Sequence, residues 1–535
     1  MPFLSILTQC CYQNQYGSYN FNGGDGDPEP RNNNDKHGTR IAGQIVASRD
    51  NGVCGVGLAH GARVSGIRLI ADVVTDTTEA RALTHALGEN HIYSNSWGPT
   101  DSGIGADAPG RHTQNAFEQG TSAGRDGKGA VYVFAAGNGH ASGDNCNYDG
   151  YANSPYTIAV GAVSSTGAIS AYSEGCGALT GVAYSSAGDG KSITTIDYVV
   201  GKPNVCASDH GGTSAAAPQV SAVVALILQK RDDLTWRDVQ HILARGAAPP
   251  VGSNAYTQGV VNSAGLWTHP RWGFGVIRAA KPFNLASTWT TVGGSEYAHV
   301  WRSGSQEGGE LPVNREATFS VEMPEGADGW SELVEHVLFT VTLTHPSRGN
   351  LAFYAKSPSN TVIELAARRL YDTSSAGLDK WTFTTPFFLD EPATGKWTLS
   401  IVNHFGVAGK LTEFEVTVRG RFVEPQLNND NLAGIIVGSV IGGLALIGGA
   451  TAGVALYRNK KTSPQDPTDP DDEMLATEEG RAQTESPIGG RDDELASSFQ
   501  NTEVNDGGMG LTAAAPQEAP QPSTLAIGQL IDEGN

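Results

Sequence analysis

The sequence predicts an α/β domain with a mostly parallel sheet, followed by an all-β domain, one transmembrane helix and a disordered tail. Short apolar runs alternate with helix-like stretches in the first half, and β-rich runs separated by turn residues follow from about residue 290. A long uncharged apolar segment then precedes an acidic, Pro-rich end. With 535 residues, the chain exceeds what one hydrophobic core usually organises, so several domains are expected.

The α/β prediction rests on the alternation in the first half of the chain. Apolar runs at residues 64–70, 130–135 and 156–163 alternate with helix-like stretches at residues 75–87 and 215–229. Strands that alternate with helices are typical of a parallel sheet covered by helices on its faces.

The all-β prediction rests on the texture from about residue 291 to residue 421. Strand-like runs occupy residues 336–343, 350–355, 397–402 and 414–418, with Gly, Pro and Asn between them. This pattern favours a separate β-sandwich or barrel.

Residues 432–457 form an uncharged apolar run, and a bilayer core needs only about 20 helical residues. A buried core helix is the less favoured alternative, because such helices are shorter. Arg458 and two lysines follow the run, so the positive-inside rule places the C-terminus in the cytoplasm. Residues 458–535 are rich in acidic residues, Pro, Gly, Ser and Gln, a composition that predicts a disordered tail.

Charge and cysteine content narrow the class of protein. The formal net charge of -21 argues against a nucleic-acid partner and fits an acidic cleft for cationic ligands. The six cysteines form no C-x-x-C metal or redox pair, and an oxidising compartment is plausible.

Three separated segments carry the residues that acyl transfer requires. Ser214 in G-G-T-S-A-A-A-P precedes a small-residue run that can begin a helix, where partial positive charge favours anions. His37 in N-D-K-H-G-T-R is a candidate base, and Asn138 in F-A-A-G-N-G can donate to an oxyanion. Singly, these motifs also fit a helix cap, a structural histidine and a plain turn. Their joint occurrence, in this order on an α/β texture, favours a serine peptidase site.

These segments resemble the kexin/furin-type proprotein convertases of the subtilisin superfamily. The likeness is carried by D-K-H-G-T-R, N-G-V-C-G-V-G, I-Y-S-N-S-W-G-P, G-D-N-C-N-Y-D-G-Y, Y-S-E-G-C, H-G-G-T-S-A-A-A-P and L-T-W-R-D-V-Q-H, and it covers about residues 17–420. The resemblance implies a subtilisin-like peptidase domain and a jelly-roll-like P domain. It also implies His37 as base, Ser214 as nucleophile, Asn138 as oxyanion donor and His210 as a structural histidine.

The resemblance and the composition together divide the chain into six segments. They are a non-matching N-terminal segment (1–16), the peptidase domain, incomplete at its N-terminus (17–289), the P domain (290–424), a linker (425–431), the transmembrane helix (432–457) and the acidic cytoplasmic tail (458–535).

The resemblance also implies residues for substrate and for calcium. The substrate residues are Trp97, Gly98, Asp101 and Asp149 at the first pocket, with Asp35 at the second and Glu79 and Asp107 farther away. The calcium ligands are Asp101, Asp144 and Glu174 beneath the first pocket, with Asn51 in a second calcium loop. Carboxylates suit both roles, because they favour a Lys or Arg side chain in a pocket and provide the oxygen ligands that Ca²⁺ prefers.

The cysteine spacing alone leaves the disulfide connectivity open. The resemblance implies that Cys54 pairs with Cys206 and that Cys146 pairs with Cys176.

The aspartate of the catalytic triad is absent from its usual place. The family carries it in a V-x-D-D-G-like segment at a strand end, about 40 residues before the histidine, and His37 leaves no room for that segment. Asp25, Asp27 and Asp35 precede His37, but they lie in a loop that matches another part of the family. We therefore expect that an N-terminal truncation removed the signal peptide, propeptide, first strand and aspartate. The chain as written should then lose about 10⁴-fold in turnover, and an absent central strand should leave sheet hydrogen bonds unpaired.

The leading functional hypothesis is a calcium-dependent, membrane-anchored serine endopeptidase that processes proproteins after paired basic residues. The family likeness places it in the Golgi or late secretory pathway, with a lumenal catalytic domain. The alternative is a catalytically inactive homologue that binds basic peptides or a protease through the same cleft. A general degradative subtilase is disfavoured by Asp101, Asp144 and Asp149 together with the apolar segment.

Overall fold

A computed structural model describes residues 12–70, 73–251, 253–292, 299–302, 306–324, 331–423 and 526–532. The described residues up to 292 form an α/β domain, and those between 299 and 423 form a β domain packed against it. Residues 526–532 belong to the same compact unit as these two domains.

The α/β domain is built on one parallel sheet. Its strands are β1 (Tyr12–Gln13), β2 (Tyr19–Asn20), β3 (Arg63–Ile70), β4 (Ile92–Asn95), β5 (Val131–Ala135), β6 (Thr157–Val163), β7 (Gly181–Tyr184) and β22 (Ala526–Asp532). The strand order is β1-β3-β22-β4-β5-β6-β7, with β2 also paired to β3, and every pair is parallel. Two antiparallel ribbons accompany the sheet: β8 (Ile193–Val199) with β9 (Lys202–His210), and β10 (Val260–Val261) with β11 (Trp267–Thr268).

Helices cover both faces of this sheet. They are α1 (His37–Val46), α2 (Asp76–Leu83), α3 (Arg111–Ala123), α4 (Thr213–Lys230), α5 (Trp236–Gly246), α6 (Asn254–Gln258) and α7 (Ala280–Thr288). Strand β5 shows how the sequence builds the two layers. Val131 and Val133 join the apolar core that contains α4, whereas Tyr132 and Phe134 pack with Phe117 of α3 on the opposite face. Alternation along a fully buried strand therefore supplies two cores, which confirms the predicted α/β architecture.

The second domain confirms the predicted β-rich fold. Its strands are β12 (His299–Arg302), β13 (Gln306–Glu307), β14 (Glu310–Leu311), β15 (Arg315–Met323), β16 (Ser331–Thr344), β17 (Leu351–Lys356), β18 (Val362–Ala366), β19 (Leu378–Thr385), β20 (Gly395–Asn403) and β21 (Gly409–Val423). They form two antiparallel sheets, β12-β21-β16-β19 and β15-β20-β17-β18, with β13 and β14 also on β21. Trp397, Leu399 and Ile401 alternate along β20 and are completely buried, as expected for a sandwich core.

A buried ion pair joins the two domains. Arg237 on α5 contacts Glu335 on β16 through two N–H groups, each 2.7 Å from a carboxylate oxygen. His241, one turn further along α5, has its Nε2 2.9 Å from the same carboxylate. All three side chains are at least nine-tenths buried. The domains are thus joined by a charged contact as well as by apolar packing.

Buried histidines make the fold sensitive to acid. His336 on β16 is 9% exposed, and burial lowers its pKa to about 3. An unfolded histidine has a pKa of about 6.5, so the unfolded chain takes up a proton that the folded chain refuses. We expect this residue alone to lower the free energy of unfolding by about 1.4 kcal/mol per pH unit from about pH 6 towards pH 4. Denaturant unfolding at several pH values measures this slope. In H336Q this slope should be smaller by about 1.4 kcal/mol per pH unit, the contribution of one proton. An unchanged slope would contradict the role of His336.

Two predictions concern the C-terminal part. Residues 432–457, the predicted transmembrane helix, lie outside the described residues. Within the described part of the chain, no helix has the length and apolar character needed to cross a bilayer. The prediction of a disordered tail is wrong for residues 526–532, which form β22. The acidic composition of the whole tail concealed this short, mostly apolar run, A-I-G-Q-L-I-D.

We expected an open position in the centre of the sheet, but β22 fills it. β22 lies between β3 and β4 and pairs with both. The backbone groups that an absent strand would have left unpaired therefore have a partner from the other end of the chain.

Candidate active site

Ser214 lies in the first turn of α4. Gly212, the residue before α4, has a φ of +76°, a conformation that residues with a Cβ rarely adopt, and this allows the sharp entry into the helix. Ser96, just beyond β4, donates a hydrogen bond from its Oγ to the Ser214 carbonyl oxygen at 3.0 Å. The hydroxyl-bearing residue is thus fixed at the carboxyl edge of the sheet, at the positive end of a helix.

His37 is brought to the same edge as the first residue of α1. Its ring centroid is 5.7 Å from that of His210, which ends β9 four residues before Ser214. His210 is 4% exposed, and burial together with the neighbouring His37 lowers its pKa to about 3. A neutral, buried His210 suits a structural role, as expected from the resemblance.

Asn138 reaches the start of α4 from the loop after β5. Its Oδ1 accepts hydrogen bonds from the backbone N–H of Thr213 at 2.8 Å and from the Thr213 hydroxyl at 3.0 Å. Because the oxygen faces Thr213, the NH₂ group faces away from it, as a donor to an oxyanion beside Ser214 must. The structure therefore places Asn138 beside the first turn of α4, which holds Ser214, and places His37 beside His210.

An acidic pocket lies next to this turn. Its carboxylates are those of Asp101, Asp107, Asp144, Asp149 and Glu174. Asp149 Oδ1 accepts a backbone hydrogen bond from Tyr151 at 2.7 Å, and burial raises the pKa of Asp149 to about 7. An entering cation would favour the charged carboxylate, so the pocket is electrostatically suited to a Lys or Arg side chain.

Trp97 and Gly98 lie near Asp149 but outside the lining of this pocket. A Cβ at Gly98 would lie 3.2 Å from Asp149 Oδ2, so glycine keeps the approach to the carboxylate open. The Trp97 ring packs edge-on against Phe134 and Tyr151, at centroid distances of 5.4 and 5.2 Å. The indole is thereby fixed against the apolar core that contains Phe134.

The three carboxylates expected to bind calcium surround residues 138–139. Asp101 Oδ2 accepts from Asn138 N–H at 2.8 Å, and Glu174 Oε1 accepts from Gly139 N–H at 2.9 Å. A Cβ at Gly139 would lie 2.7 Å from the Asp144 Cβ, which places the third acid beside them. Burial, followed by the charges of Asp144 and Asp101, raises the pKa of Glu174 well above its usual range.

This donor set fits a hard cation in chemistry, because it offers only oxygen atoms and an excess of negative charge. The residues described include no cluster of three or more His, Cys, Asp or Glu side chains in metal-binding geometry. Asn51, expected in a second calcium loop, uses its Oδ1 to accept a hydrogen bond from Val53 N–H at 3.0 Å.

Only one of the remaining predicted substrate residues lies in the acidic pocket. Asp107 lines the acidic pocket and forms a β-bridge with Asp149. Asp35 is 1% exposed and forms an ion pair with Arg68 at 2.9 Å. Glu79 is also buried, which raises its pKa to about 7. Asp35 and Glu79 thus lie outside the acidic pocket.

Sequence reasoning missed Arg369 of the β domain. This side chain is 1% exposed, and its Nη1 lies 3.3 Å from Asp144 Oδ1. Its guanidinium carbon lies 3.7 Å from the Tyr148 ring centroid, so a cation of the second domain supports the floor of the acidic pocket. No local motif around Arg369 indicates this contact, which depends on how the two domains dock.

Asn147 was also missed, although it ties the Asp149 loop to the second domain. It is completely buried, and its Nδ2 donates to Leu365 O at 2.8 Å, while its Oδ1 accepts from Thr384 N–H at 3.0 Å. The indole N–H of Trp381 donates to the Asn147 carbonyl oxygen at 3.0 Å. The β domain therefore holds the loop that carries Asp149.

We expect Asn147→Ala to loosen this loop. The change leaves buried groups of Leu365 and Thr384 unpaired, which should cost about 1–3 kcal/mol in the free energy of unfolding. Affinity for a basic peptide should fall with it, because Asp149 is two residues away. Thermal unfolding and the binding of a Lys-Arg peptide measure the two effects. Asn254→Ala on the exposed helix α6 is the control. If both variants unfold at the same temperature and interact equally with the peptide, Asn147 does not hold the Asp149 loop.

Both predicted disulfides are confirmed. Cys54 is bonded to Cys206 of β9, and Cys146 is bonded to Cys176. The second bond joins the loop of Asp144 and Asp149 to the loop of Glu174, and so stabilises both sides of the acidic pocket.

The fold and this arrangement are of the subtilisin type. Residues 7–267 match the Subtilase family, and residues 334–418 match the Proprotein convertase P-domain. The chain belongs to the subtilisin-type proprotein convertase family. The match begins at residue 7, whereas the sequence likeness was expected from residue 17.

Relatives and a solved structure extend this finding. The chain is 37% identical to Furin-1 of Xenopus laevis over 411 residues, covering 75% of this chain and 51% of that protein. It is 38% identical to proprotein convertase subtilisin/kexin type 7 of Mus musculus over 419 residues, covering 76% and 54%. The chain thus spans about half the length of these curated relatives. The serine protease of Aeromonas sobria shares the fold, with a TM-score of 0.65 at 21% identity, covering 76% of this chain and 84% of that chain.

Proposed function

We propose that the protein is a calcium-dependent serine endopeptidase that cleaves proproteins after paired basic residues. The observation that carries the proposal is the acidic pocket around Asp149, next to the helix turn that holds Ser214. The names of the relatives, furin and proprotein convertases, support proproteins as substrates.

Ser214, His37 and Asn138 would act in sequence. His37 takes the proton from the Ser214 hydroxyl as Oγ attacks the scissile carbonyl carbon, and Asn138 donates a hydrogen bond to the oxyanion that forms. His37 then gives this proton to the leaving amine, which breaks the peptide bond and leaves an acyl group on Ser214. Water, deprotonated by His37, releases the acyl group by the same steps in reverse.

Specificity would come from the carboxylates. Asp149 would pair with the Lys or Arg side chain before the scissile bond, and Asp101, Trp97 and Gly98 would complete that pocket. Asp107 would favour a second basic residue of the substrate from the same pocket, whereas Asp35, paired with Arg68, and the buried Glu79 are not accessible to a substrate in this structure. Each ion pair would stabilise the bound substrate, because a partly buried carboxylate otherwise has no partner for its charge.

Asp101, Asp144 and Glu174 would hold Ca²⁺ beneath the first pocket, and Asn51 would contribute to a second site. A bound calcium ion supplies positive charge that offsets neighbouring carboxylates and makes their loops rigid.

We place the enzyme in the secretory pathway, at the Golgi or later, with the peptidase domain in the lumen. The two disulfides fit an oxidising compartment. Residues 432–457 would attach the chain to the membrane. A single crossing there would put residues 458–535 in the cytoplasm, and a molecule with that topology would not have β22 in its lumenal sheet.

The test uses the purified full chain and two peptides that differ only before the scissile bond, Lys-Arg and Lys-Leu. We expect cleavage after Lys-Arg only, loss of cleavage on chelation and recovery on adding Ca²⁺. Asp149→Asn should lower kcat/KM for the Lys-Arg peptide by about 100-fold or more, since it removes a charge from a buried pair. Asp189→Asn on an exposed loop is the matched control. Equal cleavage of the two peptides, or indifference to chelation, would sink the proposal.

A further inference from the structure

A groove runs along the junction of the two domains, and we call it the junction groove. Phe117 of α3 and Tyr156 line it from the α/β domain, and Leu338 of β16 and Trp381 of β19 line it from the β domain. The groove has a volume of about 350 Å³, within the range of roughly 300–1,000 Å³ that is typical of small-molecule sites. These aromatic and aliphatic side chains suit the apolar part of a ligand.

Two cations and one carboxylate line the same groove, namely Lys380, Arg419 and Glu118. The Arg419 guanidinium carbon lies 4.3 Å from the Tyr156 ring centroid, and the Tyr156 hydroxyl donates to Glu118 Oε1 at 3.3 Å. Within the described part of the chain, neither Lys380 nor Arg419 forms an ion pair with a carboxylate. One positive charge of the junction groove is therefore uncompensated.

An apolar monocarboxylate matches this combination of groups. The planar fork of N–H donors on Arg419 fits a carboxylate, and the Lys380 ammonium adds further donors. A single negative charge balances the uncompensated cation, whereas a phosphate with two charges would also face the Glu118 carboxylate. The apolar walls then remove the rest of the ligand from water, which favours binding.

The junction groove and the acidic pocket share their wall. Asp107 and Asp149 line the acidic pocket, whereas the adjoining Ala108, Pro109 and Gly150 line the groove. The two segments are joined by a hydrogen bond from the Gly150 N–H to the Asp107 carbonyl oxygen at 2.8 Å. A Cβ at Gly150 would lie 2.6 Å from the Ala108 Cα, so the segments are in close contact. A ligand that holds one side of this wall therefore restrains the carboxylates on the other side.

We propose that the junction groove binds a small apolar monocarboxylate and that the bound ligand raises the affinity of the acidic pocket for a cationic peptide. The ligand would contact both domains and so hold the Asp149 loop in its docked position. Its negative charge would also favour a cation on the far side of the shared wall. Because coupling between two sites is reciprocal, the peptide should raise the affinity for the carboxylate by the same factor. The coupling rests on the proposed function, but the binding of the carboxylate does not.

The first experiment measures binding to the purified full chain by isothermal titration calorimetry. The probes are decanoate below its micelle-forming concentration, the uncharged decanol with the same alkyl chain, and acetate, which keeps only the charge. We expect decanoate to bind at one site per chain and the other two probes to bind at least about tenfold more weakly. Equal binding of decanoate and decanol, or no binding of decanoate, overturns the proposal.

Two variants locate the site. Lys380→Glu reverses an exposed charge of the groove and should lower the affinity for decanoate by about tenfold or more. Arg419→Gln removes the second cation and should weaken binding by a similar factor. Lys396→Glu, at an exposed position of β20 outside the groove, is the matched control and should bind decanoate as the unaltered chain does. Unchanged affinity in both groove variants would place the ligand elsewhere and overturn the proposal.

The second experiment measures the coupling without cleavage. The full chain with Ser214→Ala is titrated with a fluorescent Lys-Arg peptide, with and without saturating decanoate. We expect decanoate to tighten peptide binding by about fivefold or more and acetate to leave it unchanged. A peptide affinity that decanoate does not change overturns the coupling to the acidic pocket. If decanoate binds and the peptide binds under neither condition, the proposed function fails and the groove site stands.

Discussion

Ser214→Ala should abolish peptide cleavage, with a fall in kcat of about 10⁶-fold where the triad is complete and of about 100-fold where the triad aspartate is absent. The hydroxyl is the only atom group removed, and the buried alanines that follow in α4 keep the helix in place. Folding should therefore be unchanged, and the remaining rate should come from substrate binding and oxyanion stabilisation.

The measurement is single-turnover cleavage of the Lys-Arg peptide, together with labelling by a serine-directed fluorophosphonate. The label should appear on Ser214 in the unaltered chain and be lost in the variant. Ser122→Ala, at an exposed serine of α3, serves as the matched control. Retained cleavage in Ser214→Ala, or label on another serine, would move the nucleophile elsewhere.

The fold was predictable wherever one strand or helix carries its own pattern. Residues 130–135 are apolar on both faces because β5 lies between two helical layers, and the alternation of Trp397, Leu399 and Ile401 marks one buried face of β20. Such periodicity is local, so it can be found without knowing the partner. The motifs around Ser214 and Asn138 were found for the same reason.

What sequence reasoning missed depends on partners that are distant in the chain. Arg369 contributes to the acidic pocket only because the β domain docks behind Tyr148. Asn147 looks like an ordinary loop residue until Leu365 and Thr384 are placed beside it. The sequence gives only a weak signal for β22, because it is seven residues long and lies in an acidic tail. These residues become a strand where β3 and β4 offer hydrogen-bonding edges.

The stability of the protein should also depend strongly on the buried ion pair that joins the two domains. Burial alone would raise the pKa of Glu335, but His241 and Arg237 hold it well below the usual range. Glu335→Gln keeps the shape and leaves the Arg237 charge buried without its partner, which should cost about 3–5 kcal/mol in the free energy of unfolding. The loss should show as a lower denaturant midpoint, or as separate unfolding of the β domain.

The pH dependence of this variant distinguishes an ion pair from simple packing. Since the folded pKa of Glu335 is depressed, its stabilisation is fully present above the unfolded value of about 4.3 and is lost as the pH falls below it. The difference in stability between the unaltered chain and Glu335→Gln should therefore be largest near neutral pH and shrink below about pH 4. Glu316→Gln, at an exposed position of β15, should show no such difference. A gap that stays constant from pH 7 to pH 3 would mean that Glu335 stabilises the junction by shape alone.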